Sequence, residues 1–227
     1  MTELSLAALV FVALHILPAI RAREWIIARI GDPAYMGLFS LASVLGLAWM
    51  IAAYRDAPAS ISLYETGPVL KWFTVAAMLL PFIFVVSGMT SRNPSSIMGK
   101  DALKTPHRWN DIFAITRHPV MWAITIWAGL HMLNRPDVTS ALLFGPLGLL
   151  AILGSLRQEA RKREEFGEAW NAFVKQTSFV PFAGILSGKA KLHIRELGGW
   201  RIAAAVVIWL AMLAFHLPVI GVSPVPL

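Results

Sequence analysis

The sequence predicts an all-α integral membrane protein: a six-transmembrane-helix bundle with a cytoplasmic amphipathic helix. Three observations point there. Hydrophobic residues make up 57% of the 227-residue chain and charged residues 15%. Uncharged apolar runs recur at close to the ~20 residues that a helix needs to cross the hydrocarbon core. Basic residues, finally, are almost confined to alternate connections. No repeat or low-complexity stretch divides the chain, so residues 1–227 read as a single transmembrane domain.

The first apolar run, residues 4–20, follows Glu3, and its arginines, Arg21 and Arg23, come after it. A cleaved signal has the reverse order, so this run reads as a retained helix. The next spans are read at 36–54 and 72–87. Residues 88–115 contain Gly88, Pro94, Gly99 and Pro106, which break any long helix, and they read as a loop ending in a short helix. Spans at 118–134 and 138–156 follow, and the last is at 202–220. Between these lies 157–180, where Phe166, Trp170, Phe173 and Val174 recur at helical spacing, with Glu165, Glu168 and Lys175 on other faces. That pattern describes an amphipathic helix lying on the membrane surface or capping the bundle.

Charge sets the orientation. Connections 21–35, 88–117 and 157–201 hold seventeen of the twenty Lys and Arg, leaving only Arg55, Lys71 and Arg135 elsewhere. The positive-inside rule places these three connections in the cytoplasm and both termini outside. The same bias accounts for the net charge of +7 and the pI near 10.1. A basic face beside anionic lipid needs no nucleic acid to explain it, and no soluble basic domain is apparent. With no cysteine in the chain, disulfides, cysteine-held iron–sulfur clusters and thiolate-ligated haem are excluded.

Chemistry is concentrated at Arg117-His118-Pro119, where an apolar span begins. Proline suits the first helical turn, because the N–H it lacks would be unpaired there. His118 then sits at a helix N-terminus, whose dipole favours neutral imidazole, the ligand form. His15 lies five residues before Ile20, less than ~10 Å from the same membrane face by helical rise. At comparable depth on neighbouring helices, His15 and His118 can ligate a haem iron from both sides. Arg117 is placed to pair with a haem propionate, and Trp122 to pack on the macrocycle or face lipid. His131, about 20 Å along the helix from His118, cannot share its iron and forms a second candidate pair with His216. His107 and His193 read as solvated loop residues, and no HExxH motif is present.

These residues resemble the NnrU family of bacterial membrane proteins. The matching pieces are His15, GDPAYMGLFS at 31–40, ITRHPVMW at 115–122 and WAGLHMLNRPD at 127–137. LLFGPLGLLAILG at 142–154, FGEAW at 166–170 and TSFVPF at 177–182 complete them in order. The resemblance implies a bacterial inner-membrane protein linked to nitrite and nitric oxide metabolism, hence to denitrification. The family is also similar to plastid zeta-carotene isomerases, which implies haem b at the histidines matching His15 and His118, and an isomerase-like role on a lipid-soluble or small redox substrate. Lacking cysteine, this chain cannot switch to a thiolate ligand.

A second resemblance is to isoprenylcysteine and phospholipid methyltransferases, carried by Arg117-His118-Pro119 and by Phe166-Gly167 with Trp170. It implies an S-adenosylmethionine pocket made by Arg117, His118 and Glu159 with the surface helix. This chain departs from that pattern at Met121, Ala123, Gln158 and Lys162. A non-catalytic membrane assembly role is the third reading.

Overall fold

The computed structural model describes residues 1–16, 22–58, 60–95, 102–103 and 108–226, with the backbone alone at Ala22. The end of the first expected span, Arg21, Lys100, Lys104 and His107 lie outside the described residues. Among the described residues the fold is helical, with one isolated antiparallel bridge between Ser62 and Asp137.

Near the N-terminus are α1 (Thr2–Ile16), α2 (Ala22–Ile30) and α3 (Asp32–Arg55). Gly31 adopts φ 81 between α2 and α3, a left-handed turn open to glycine, and a proline follows in the first turn of α3. The third expected span is built from two helices, α4 (Pro68–Ala77) and α5 (Leu79–Thr90). The break at Met78 has a local cause: Pro81 has no N–H to offer the Ala77 carbonyl. Together α4 and α5 still make one 23-residue apolar span. A short helix, α6 (Ile112–Ile115), ends the following loop as expected.

Next come α7 (Pro119–Asn134) and α8 (Val138–Phe166). Asp137 starts α8 by accepting a 2.7 Å hydrogen bond from the Ser140 N–H. This helix does not end where its apolar stretch does. It continues past residue 156 to Phe166 and carries the charged segment that follows as part of the same rod. Gly167, at φ 51, breaks it before α9 (Glu168–Gln176). Short helices α10 (Ala183–Leu186) and α11 (Ile194–Leu197) lead into α12 (Gly199–Ile220).

Four segments among the described residues are long and apolar enough to cross a bilayer: α3, α4 with α5, α8 and α12. The protein is an integral membrane protein. The expected spans at 4–20 and 118–134 correspond to helices of 15 and 16 residues. At 1.5 Å per residue the second reaches only about 24 Å, against a core of ~30 Å, while the remainder of the first expected span lies outside the described residues. On α3 and α12 large apolar side chains such as Leu38, Leu41, Val207 and Phe215 are exposed, as a lipid-facing surface requires.

Helix α7 is the hub. It packs chiefly on α8 and α5, while α12 packs on α5, and α1 on α3 and α8. Two apolar clusters result. One joins Leu4, Phe11, Met50, Leu143 and Phe144 from α1, α3 and α8. The other gathers Phe84, Trp109, Phe113, Trp170 and Phe173 near the start of α7. Within it the Phe173 and Trp109 rings lie 4.8 Å apart, edge to face. The apolar face of α9 is therefore turned into the protein, with Trp170 and Phe173 fully buried. Of the two expected placements for this amphipathic segment, the packing is that of a cap on the bundle.

Small residues allow the close crossings, as is usual between membrane helices. A Cβ on Gly88 would meet the Pro119 ring at 2.8 Å and Val120 at 2.9 Å, where α5 touches the first turn of α7. Gly129 on the same α7 has nothing within 4 Å of its Cβ position. Gly88→Ala is therefore expected to lower stability by about 1–3 kcal/mol through overpacking. Gly129→Ala should leave it unchanged or raised by ~0.5–1 kcal/mol from helix propensity. Thermal unfolding of both variants in mild detergent checks the contrast.

Candidate functional site

The site forms where two distant stretches of chain run side by side. The Arg117 N–H donates to the Ser178 carbonyl at 2.9 Å, and the Phe182 N–H to the Ile115 carbonyl at 2.9 Å. The Thr116 hydroxyl donates to the Phe179 carbonyl at 2.7 Å. Segment 177–182 is thereby fastened along 115–117. On the other side, the Ser95 hydroxyl donates to the Arg117 carbonyl at 2.7 Å. With backbone groups paired this way, an irregular segment can be buried without orphaned amides.

From this clamp the chain enters α7 with His118 as its N-cap and Pro119 in the first turn, as the sequence predicts. The extension of α8 brings Glu159 to meet it. Arg117 grips the Glu159 carboxylate with two donors: Nε to Oε1, and Nη2 to Oε2 at 3.1 Å. The Oε1 atom also faces His118 Nε2 at 2.9 Å. A third guanidinium donor, Nη1, reaches the Thr177 carbonyl at 3.5 Å. Arg117 is 7% exposed and His118 1%, so two ionisable side chains and a carboxylate share a nearly dry site. Such burial is tolerated because the charges are paired and the two-point geometry of Arg with carboxylate is strong.

One atom of the cluster is not satisfied. His118 Nδ1 is buried and makes no hydrogen bond among the described residues. The Phe179 ring stands edge to face with the imidazole at 5.4 Å and with Trp122 at 6.0 Å, and Arg117 lies over it at 5.7 Å. Trp122 is half-buried against the second apolar cluster. Lys189, exposed on the turn after α10, lies close enough to feel both Arg117 and Glu159. Partial desolvation and the Arg117 charge lower its pKa, and Glu159 opposes them.

The other histidines share a different pattern. His15 Nδ1 donates to the Phe11 carbonyl at 2.8 Å, and its ring lies among Phe11 and Phe39. His131 does the same to Trp127 at 2.9 Å and stacks on Phe144, while His216 donates to Val222 at 2.7 Å. In each, Nδ1 is the donor and Nε2 makes no hydrogen bond among the described residues, the arrangement found in metal-ligating histidines. His193 is exposed and lies 2.8 Å from Glu196. Among the described residues no three His, Asp or Glu side chains gather as a metal cluster.

The structure brings Arg117, His118 and Glu159 together, while His15 packs against Phe11 and Phe39. Arg157 reaches the His15 carbonyl at 3.3 Å, two residues from Glu159 on α8. Sequence reasoning linked Glu159 to the arginine and histidine only in the methyltransferase reading, and missed Phe179 and Lys189. The TSFVPF stretch was the available signal for Phe179.

Removing the carboxylate should be costly. Glu159→Ala leaves Arg117 as an uncompensated buried charge, and a loss of about 3–5 kcal/mol is expected. Thermal unfolding in detergent should show this variant melting well below both the wild type and Arg157→Ala, whose side chain is exposed.

Comparison with known proteins places the chain. A family model described as "NnrU protein" matches residues 3–224. The chain is similar to the chloroplastic 15-cis-zeta-carotene isomerase of Zea mays, 35% identical over 126 residues. It is also similar to that of Arabidopsis thaliana, 34% identical over 89 residues. These alignments cover 54% and 38% of this chain, and only 32% and 24% of the two isomerases. No solved structure matches. With nearly its whole length matched by the family model, the chain belongs to the NnrU family.

Proposed function

We propose that this protein is an isomerase-like membrane protein that handles a lipid-soluble substrate, with haem b held by His15 and His118. The observation that carries the haem is the state of the two side chains. Each has one ring nitrogen anchored, and the other makes no hydrogen bond among the described residues: Nε2 of His15 and the buried Nδ1 of His118. A buried imidazole lone pair without a partner is costly, and iron is a partner suited to it. Haem b would supply a redox-active iron able to bind a small ligand such as nitric oxide, or to assist double-bond rearrangement. The isomerases of maize and Arabidopsis support the lipid-soluble substrate, and family membership the link to nitrite metabolism.

Arg117 is committed to Glu159, so in this reading Lys189 is the cation on hand for a propionate at the boundary. Trp122 and Phe179 contribute an aromatic wall. His131 with His216 remains the second pair of candidate ligands. The basic connections support a six-crossing arrangement in a bacterial inner membrane, with α1 and α7 among the crossings, both termini outside and the site at the cytoplasmic face.

The S-adenosylmethionine reading has one observation in its favour: Arg117, His118 and Glu159, the three residues it requires, do converge. A single set of preparations separates the readings. Protein purified from haem-supplied cells is expected to show a Soret band that His15→Ala and His118→Ala each weaken or shift. A band surviving both substitutions would reject these ligands. No band, with calorimetric binding of S-adenosylmethionine, would favour the methyltransferase, and binding of neither a non-catalytic assembly role.

A further inference from the structure

We infer that Glu159 is a positioning residue for His118: it fixes which ring nitrogen carries the proton and leaves Nδ1 as the acceptor offered to a ligand. The inference deepens the reading proposed above and rests on it for the identity of that ligand, but its own content concerns the protein without haem.

A carboxylate offers only acceptors. Glu159 Oε1 lies 2.9 Å from His118 Nε2, so the contact is made only if Nε2 bears the hydrogen. In a neutral imidazole the other nitrogen is then a bare lone pair. Nδ1 is buried beside the Phe179 ring with no hydrogen-bond partner among the described residues, so a hydrogen placed there would have no acceptor. Arg117 in turn holds the carboxylate from both oxygens, so Glu159 cannot rotate away from the histidine without breaking the two-point contact.

The consequence is a polarity opposite to that of His15, His131 and His216. Those rings donate Nδ1–H to a backbone carbonyl four residues earlier, or in the turn after α12, and turn Nε2 outward. In His118 the donor is Nε2 and the acceptor is Nδ1, buried beside Phe179. An acceptor in that position suits a Lewis-acidic centre or an O–H or N–H donor on an otherwise apolar ligand. It does not suit an anion.

The test is nitrogen NMR of 15N-histidine-labelled protein in nanodiscs, purified without haem, with His118→Gln to identify the His118 signals. The wild type should show His118 protonated at Nε2 and unprotonated at Nδ1. Removing Glu159 alone strands a buried charge, so the informative variant is the double Arg117→Met, Glu159→Met, which removes both partners together. It should lose the single tautomer and show exchange between the two. Arg117→Lys, which keeps a cation beside Glu159, should retain the wild-type pattern. A wild-type spectrum with the proton on Nδ1, or an unchanged tautomer in the double variant, would overturn the inference. Because no haem is present, that failure is separate from the absence of a Soret band, which would remove the proposed ligand and leave the tautomer assignment standing.

Discussion

The carboxylate of Glu159 is the point on which the site depends. It is the acceptor for the Arg117 guanidinium and for His118 Nε2, and so joins the start of α7 to the far end of α8. A guanidinium as buried as Arg117 is tolerated only with such a partner. The rest of the local architecture follows from the need to bring these groups together. Helix α8 must run past its apolar stretch to deliver Glu159, and segment 177–182 must be fastened along 115–117 to close the site over Arg117. Gly88 lets α5 reach the first turn of α7 from the side.

The same constraint connects structure to chemistry. An imidazole held by a carboxylate at one nitrogen is directional, and its second nitrogen is defined by elimination. Burial makes that definition matter, because no water competes for the remaining lone pair. The aromatic neighbours Phe179 and Trp122 make the surroundings apolar. The exposed Lys189 supplies positive charge where the site opens to water.

Much of this was legible in the sequence. Apolar runs and alternating basic connections gave the membrane class, and the proline of Arg117-His118-Pro119 marked the first turn of α7. The span read at 118–134 is helical as α7 over Pro119–Asn134. Length misled at one place: residues 157–166 read as a separate segment where α8 simply continues. Hydropathy reports where lipid contact ends, whereas a helix ends where its hydrogen-bond ladder is broken, here at Gly167. The break at Met78 was available from Pro81. The pairing of Arg117 with Glu159 spans 42 positions, and no local periodicity encodes a contact of that range. Phe179 was equally hidden, since its place depends on backbone pairing between separate loops.

The account stands or falls on whether Arg117 and Glu159 act as one unit. A double-mutant cycle of Arg117→Met and Glu159→Met, followed by unfolding in mixed detergent micelles, measures this directly. Each single variant strands a buried charge, whereas the double variant removes both, so the double should be markedly more stable than the sum of the singles implies. A coupling of about 1–3 kcal/mol is expected for groups in direct contact. Losses that add to within ~0.5 kcal/mol, as for distant independent sites, would contradict it.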